Sequence, residues 1–266
     1  MEPENQAETS FKQKNSAIMK LGAMQPYFLP YLGYFGLIKH TDKFVINGIV
    51  QYRKESWVNR NRILCEGKEW DYITIPIKKH SSRAAIKEIT IHNEQKWKAK
   101  LLGKLQHYKK IAPYYTRTRK LLEEILSLQT DSLMEMNIHS LSLVCQYLGI
   151  PFNPIFFSDL NADIKEIHAS DDWGLVTAKA VEADEYWNPP GGKNFYDPAK
   201  YKRQQIRLRF LTVYLREYNQ QRLPFVPGLS ILDVMMFNNP AEIHRMLNDY
   251  KLESLSYEGR KQQTLT

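Results

Sequence analysis

The chain has 266 residues, is 43% hydrophobic and 25% charged, and carries a formal charge of +8 with a pI of about 9.2. That is the composition of a globular chain. No run approaches the roughly 20 apolar residues that cross a bilayer, and Cys65 and Cys145 lie too far apart to suggest a disulfide framework or a clustered metal site.

The polar start lacks the apolar core of a secretion signal. It reads as a disordered leader over residues 1–17, with a flexible tail over 251–266 and a cytoplasmic location. A strand near Met19–Met24 leads to a helix near Tyr31–His40. A strand at Lys43–Ile49, an extended segment at Ser56–Leu64, a turn at Gly67 and a strand at Asp71–Ile77 follow, the last from its β-branched alternation. Lys87–His92 reads as a further strand. The middle is helical over about Glu94–Ile111, Tyr114–Leu128 and Asp131–Leu148, the third capped by Thr130 and Asp131 and stopped by Gly149-Ile150-Pro151. Pro154–Ser158 reads as a strand, Asp172–Ala183 as a helix, Asp184–Trp187 as a short strand and Asn188–Lys193 as a loop. Ile206–Tyr214 is extended, and Ser230–Phe237 and Pro240–Asn248 are helices. Strands alternate with helices at both ends, which predicts an α/β fold with a central, mostly parallel sheet. The expected unit is one domain over residues 18–250 with a helical insertion at about 93–150.

The charge is uneven. Gln95–Leu122 holds nine basic residues and no acid. Trp97, Leu101, Leu105 and Tyr108 recur within it at helical spacing, so the helix has an apolar side and a basic back. Such a back is either a solvated face or an attraction for anions, including an acidic membrane surface. No zinc finger, RNA-binding signature or helix-turn-helix accompanies it, so nucleic acid is not an expected partner.

Two segments concentrate chemistry. Met24–Phe35 (MQPYFLPYLGYF) packs two prolines, a glycine and five aromatic residues between a strand and a helix. Each proline fixes its own φ and pushes the residue before it toward extended geometry, and the start of the helix offers unpaired N–H groups to an anion. A packed aromatic turn is the plainer alternative. In the second segment, Val50–Arg62, an extended chain places Trp57, Asn59, Asn61 and Ile63 on one face and Val58, Arg60 and Arg62 on the other. Two arginines so spaced can fork a phosphate or carboxylate, and two asparagines can hydrogen-bond a sugar or an amide. An edge strand with solvated polar residues fits equally.

These residues carry a resemblance. Gln25-Pro26, Pro30-Tyr31, Gly33-Tyr34-Phe35, Val50-Gln51-Tyr52 and Trp57-x-Asn59-Arg60-Asn61 resemble the motifs of the WbqC-like protein family. So do Ala183-Asp184, Gly191-Gly192, Phe195-Tyr196 and Phe225–Asp233, in order, from about residue 18 to 248. The resemblance implies a role in bacterial O-antigen and surface-polysaccharide synthesis, by transfer of glycine or another acyl group to an amino sugar. Two departures stand out: the family often has His at the position of Met24 and an Asp-Asp pair at Asn47-Gly48.

Acyl transfer to a nucleotide-linked amino sugar needs donors for the carbonyl oxygen, cations for the diphosphate and a base. Gln25 and Asn59 suit the first. Arg60, Arg62 and Lys54 suit the second. Asp233 or a histidine, His92 or His168, suits the third, with a helix-capping role open for Asp233. Tyr27, Gln51, Trp57, Gly191 and Gly192 complete the expected substrate contacts. The expected partners are a sugar nucleotide and an activated acyl donor; no cofactor and no metal are named. A strand, a proline turn and a Gly-aromatic helix start also resemble the opening of an ATP-using nucleotidyltransferase, with Tyr31-Leu32-Gly33-Tyr34 in place of its His-x-Gly-His. A non-catalytic scaffold of a polysaccharide assembly complex is the third reading.

Overall fold

The computed structural model of the protein describes residues 17–221 and 224–255. The expected leader lies outside the described residues except for its last position, as do residues 256–266 of the expected tail.

Strand β1 (Lys20–Met24) passes through the proline turn into α1 (Leu32–His40) and then β2 (Lys43–Ile46). An antiparallel hairpin of β3 (Arg60–Cys65) and β4 (Lys68–Thr74) follows. Then come α2 (Trp97–Lys104), α3 (Tyr108–Ile111), α4 (Tyr115–Ser127) and α5 (Leu133–Leu148). The chain returns through β5 (Ile155–Phe156), α6 (Asp172–Ala180), β6 (Glu185–Asn188), α7 (Pro198–Arg203) and β7 (Arg207–Val213). It continues with α8 (Ile231–Phe237), α9 (Pro240–Asn248) and β8 (Tyr250–Ser254).

The main sheet is six-stranded, in the order β5-β2-β1-β6-β7-β8. The first five strands are parallel, and β8 pairs antiparallel with β7. This is the α/β architecture with a mostly parallel sheet that alternating strands and helices predict. Apolar layers cover both faces. Leu21, Val45, Tyr186 and Phe210 pack with Val176 and Ala178 of α6 and Tyr201 of α7 on one side. On the other, α1, α9, the hairpin and the helices between β2 and β5 share one continuous core. Helix α1 is buried from Leu32 to Ile38. It lies so close to the sheet that a Cβ at Gly36 would collide with Val213 Cγ2, which accounts for glycine there.

Several elements differ from the sequence pattern. The helix expected over 94–111 is broken between α2 and α3. Gly103 is a weak helix former, and Leu105 closes α2 with its N–H on the Leu102 carbonyl, 3.3 Å away. The break turns Tyr108 inward to full burial. The N-cap of α5 is Ser132, whose side chain accepts from Glu135 N, while Thr130 Oγ1 accepts from Ser132 N at 3.0 Å. The strand expected over 87–92 is a 3₁₀ turn, Ile86–Glu88, followed by single bridges Thr90–Ser132 and Ile77–Ile91. Residues 251–254, expected as tail, form most of β8, because β7 leaves one edge of the sheet open and the chain returns from α9 beside it.

Candidate functional site

The turn after β1 is the most heavily stapled irregular segment near the sheet. Leu29 has φ 43°, a left-handed conformation that bulky residues avoid and that is further disfavoured before Pro30. Such strain costs on the order of 1–3 kcal/mol and persists only where the surroundings over-determine it. Here they do. Asn61 Nδ2 donates to the carbonyls of Leu29 at 3.0 Å and Phe28 at 3.3 Å. Ser230 Oγ donates to Leu29 O at 2.7 Å, and Ile231 N to Pro30 O at 2.9 Å. Asn137, fully buried on α5, donates to Pro26 O at 2.9 Å and Val58 O at 2.7 Å. Phe28 N donates to Trp57 O at 3.1 Å. Buried carbonyls that cannot reach water are thereby satisfied by three remote side chains.

The turn leaves the sheet where its strand order reverses. After β1 the chain moves to β2 and β5 on one side, then crosses to β6 on the other. In open α/β sheets, ligands bind outside the carboxyl ends of the strands at such a switch point. The chain leaves β1 at Gln25, and its parallel neighbour β6 leads through Pro189-Pro190 into the Gly191-Gly192 loop. Asn47 stands on the other flank, its N–H on Met24 O at 2.8 Å. Gln25, Tyr27 and Tyr31, on the turn that leaves β1 for this crevice position, are half-buried. Tyr34 OH donates to Gln25 O at 2.9 Å and fixes the backbone there. Burial raises the Tyr27 phenol, and burial followed by the neighbouring Tyr27 pushes Tyr31 up to about 12. Both phenols therefore stay protonated at neutral pH and can act as donors.

Across the crevice, Asn188 ends β6 and donates to the hydroxyls of Tyr186, at 3.2 Å, and Tyr196. Gly191 is exposed with open space about it. Lys193 pairs with Glu253 of β8. At the end of β2, Gly48 lies against Met134, whose sulfur occupies the place of a Cβ. The positions with family departures thus hold a thioether, an amide and a glycine, and the strand ends around Gln25 offer neutral donors and acceptors.

The sequence-derived residues fall into three groups. Gln25 and Tyr27 follow β1 and Gly191 and Gly192 follow β6, the adjacent strands on either side of the switch point. Trp57, Arg60 and Arg62 meet elsewhere. By strand alternation the asparagine face of β3 holds the turn, so both arginines project from the opposite face; Trp57, expected on the asparagine face, precedes β3 in a turn, and its indole stands beside Arg62 instead. Lys54 is exposed on the turn before β3, and Gln51 Nε2 donates to Ser82 O at 2.6 Å. The remaining two candidates point inward. Asn59 Nδ2 donates to Ile75 O at 3.0 Å and its Oδ1 accepts from Tyr52 OH at 2.9 Å. Asp233 is completely buried. Its carboxylate accepts from Tyr108 OH and Tyr218 OH, both at 2.5 Å, and from Gln220 Nε2 at 3.1 Å. Burial lifts it to about 6 against these hydrogen bonds. The cap of α8 is Ser230, which accepts from Leu232 N. His92 pairs with Glu94 at 2.5 Å, and His168 is exposed.

Sequence reasoning marked Asn47 only as a departure from the family motifs and Ser230 only within the Phe225–Asp233 motif, and did not single out Asn188 or Asn137 for this region. An asparagine directly before Pro-Pro-Gly-Gly was a usable signal for Asn188; Asn137 is mid-helix, and nothing local marks it.

Comparison with known proteins agrees with this architecture in extent. The model of the WbqC-like protein family matches residues 25–245. An uncharacterised protein of Mycobacterium tuberculosis, Rv1507c, is 30% identical over 227 residues, covering 84% of this chain and 95% of its own. No solved structure matches.

Proposed function

The chain belongs to the WbqC-like family, and from that membership we propose that it transfers an acyl or aminoacyl group, of the glycine type, to the amine of a nucleotide-linked amino sugar in surface-polysaccharide (O-antigen) synthesis. The observation that supports the reading is that the turn bearing Gln25 and Tyr27 and the Gly191-Gly192 loop follow the adjacent parallel strands β1 and β6 at the switch point of the sheet, where α/β folds place their ligands. The partners are the sugar nucleotide and an activated acyl donor.

The chemistry suits what the crevice offers. The amine attacks the carbonyl carbon, the new C–N bond forms as the bond to the leaving group breaks, and the amine proton passes to the leaving group or to water. The carbonyl oxygen gains charge on the way. The Gln25 amide and the protonated Tyr27 and Tyr31 hydroxyls are donors held on a rigid turn, which is the arrangement that stabilises such an oxygen at no cost in reorganisation. The exposed Gly191 allows a ligand to approach the backbone closely.

The test is to incubate purified protein with a panel of amino-sugar nucleotides, supplying glycine with ATP in one arm and acyl-CoA in another, and to read products by mass spectrometry. The expected result is a mass gain equal to the acyl group. No gain across the panel overturns the reading.

One feature favours a second reading, ATP-dependent nucleotidyl transfer. Helix α1 starts at the carboxyl end of the central strand with no acidic residue in its first turn and no capping side chain, so its N–H groups suit a phosphate. Against it, the Tyr31 ring lies over Gly33 and covers that helix start. Pyrophosphate release from ATP without acyl product is the outcome that would select it.

A further inference from the structure

We propose that the outer face of the β3–β4 hairpin is a second binding site, for a phosphate or carboxylate carried by a flat or chair-like ring. The nucleoside diphosphate and the acidic sugar share this chemistry.

Alternation in β3 puts Arg60 and Arg62 on one face, and antiparallel pairing sets Tyr72 opposite Arg62 and Trp70 opposite Leu64. The guanidinium of Arg60 lies 4.2 Å from the centre of the Tyr72 ring. That of Arg62 sits between two indoles, 5.5 Å from Trp57 and 5.2 Å from Trp70. Trp70 and Tyr72 meet edge-on at 5.0 Å, so the aromatic surface is continuous. The rings pack against the guanidinium groups and hold the side chains in place. What is left for a ligand is the terminal nitrogens of each group, since each Nε is buried.

Those nitrogens are under-used. Arg62 Nη2 donates to Gly228 O at 3.3 Å, and Arg60 Nη2 to Glu55 O at 2.8 Å. The Nε of each is shielded and has no acceptor. Among the described residues Arg62 forms no ion pair, and Arg60 has Glu55, 3.7 Å away on a side chain that is 81% exposed. A cation partly withdrawn from water against apolar rings, without a counter-ion, loses hydration and gains no neutralising charge. An arriving anion restores that balance and finds planar forks suited to bidentate contact.

The ring half of the ligand follows from Trp57. Its indole is 39% exposed beside Arg62. Its backbone is fixed, because its carbonyl accepts from Phe28 N. A preset, open indole next to an anion fork is a stacking platform for a base or for the apolar face of a sugar. Two arginines two residues apart on a strand stand roughly 7 Å apart, within reach of one ligand. This site is built from the hairpin and the turn before it rather than from the ends of β1 and β6, and its binding test does not depend on the proposed reaction.

The experiment titrates the full chain with UDP, an oligosaccharide of uronic acids, uridine and inorganic phosphate, read by tryptophan fluorescence and calorimetry. Trp57→Ala, Arg62→Ala and Arg62→Lys are compared, with melting curves to confirm folding; Trp57→Ala removes an exposed side chain and tests the site if Arg62→Ala fails to fold. UDP or the uronate saturates the wild type, and whichever does identifies the source. Trp57→Ala and Arg62→Ala each weaken it by about tenfold or more, Arg62→Lys by less. Uridine and phosphate, each lacking half of the ligand, bind far more weakly. No saturation by either ring anion at millimolar concentration, unchanged affinity in the variants, or equal binding of inorganic phosphate overturns the proposal.

Discussion

At the scale of single residues, buried polar groups decide the shape of the crevice. Asn137 satisfies two carbonyls from different segments, Pro26 and Val58, so truncating it orphans both. Each unsatisfied buried acceptor costs about 1–3 kcal/mol. Asn137→Ala is expected to lower the unfolding free energy by about 3 kcal/mol in denaturant titration, and an effect below about 1 kcal/mol would mean that Pro26 O and Val58 O find other donors. Asp233 makes a separate prediction about pH. Its folded-state value, about 6, lies above the ordinary 3.8 of an unfolded aspartate. Between these values the folded chain holds a proton that the unfolded chain has lost. The stability this gives is fully present below about pH 4 and is lost as pH rises through 6. The Asp233→Asn variant, which cannot titrate, should lack that decline. The wild type should therefore lose on the order of 2–3 kcal/mol relative to the variant between pH 4 and pH 7. A flat difference over that window would show that the carboxylate is ionised throughout.

At the scale of elements, close packing governs what the chain tolerates. Gly36 faces Val213 across the contact between α1 and β7, and any larger residue must push the helix off the sheet. Gly36→Ala is expected to cost about 1–3 kcal/mol although alanine is the better helix former. In the Val213→Ala background that penalty should shrink by at least 1 kcal/mol, read as coupling in a double-mutant cycle. The same elements show what was legible in the chain. The strand, proline turn and helix at 19–40 were readable because prolines, glycines and a continuous apolar run punctuate them. The position of Gln25, Tyr27, Gly191 and Gly192 at strand ends was readable for the same reason, since Pro26, Pro30, Pro189 and Pro190 stand beside them and break the strands there. Asn59 and Asp233 could not be placed from sequence. What turns them inward is Tyr52, Tyr108 and Tyr218, and for Asp233 the tyrosine Tyr108 lies 125 positions away. Trp70 and Tyr72 were not singled out, because only the hairpin register sets them against Arg60 and Arg62. Strand β8, polar and charged, gains its order from pairing with β7 rather than from its own pattern.

At the scale of the whole molecule, the crevice and the basic block belong to different parts of the fold. The crevice lies at the carboxyl edge of the main sheet, whereas Lys96, Lys100, Lys109 and Lys110 are exposed on and beside α2 and α3. Others of the block are engaged locally: Lys98 donates to Leu128 O, Lys104 pairs with Asp71 and Arg119 with Glu123. No helix among the described residues is long and apolar enough to cross a membrane. A contact of these lysines with an acidic membrane, as a scaffold of an assembly complex requires, would be electrostatic, at about 1 kcal/mol per basic residue near the surface. Reversing Lys96, Lys100, Lys109 and Lys110 to Glu is expected to abolish co-sedimentation with anionic vesicles at low salt, while acyl transfer to a dissolved sugar nucleotide stays within about threefold. Gln25→Ala should do the reverse, lowering kcat by about 100-fold, as removal of an oxyanion donor does, and leaving vesicle binding intact. Raising the ionic strength should weaken the wild-type vesicle contact, because exposed charges are screened beyond about 10 Å at 0.1 M salt. If the wild type ignores anionic vesicles even at low salt, the membrane contact is lost and the transfer reading stands alone; if the charge reversal stops transfer in solution, the basic helices belong to the reaction and the crevice is only part of its site.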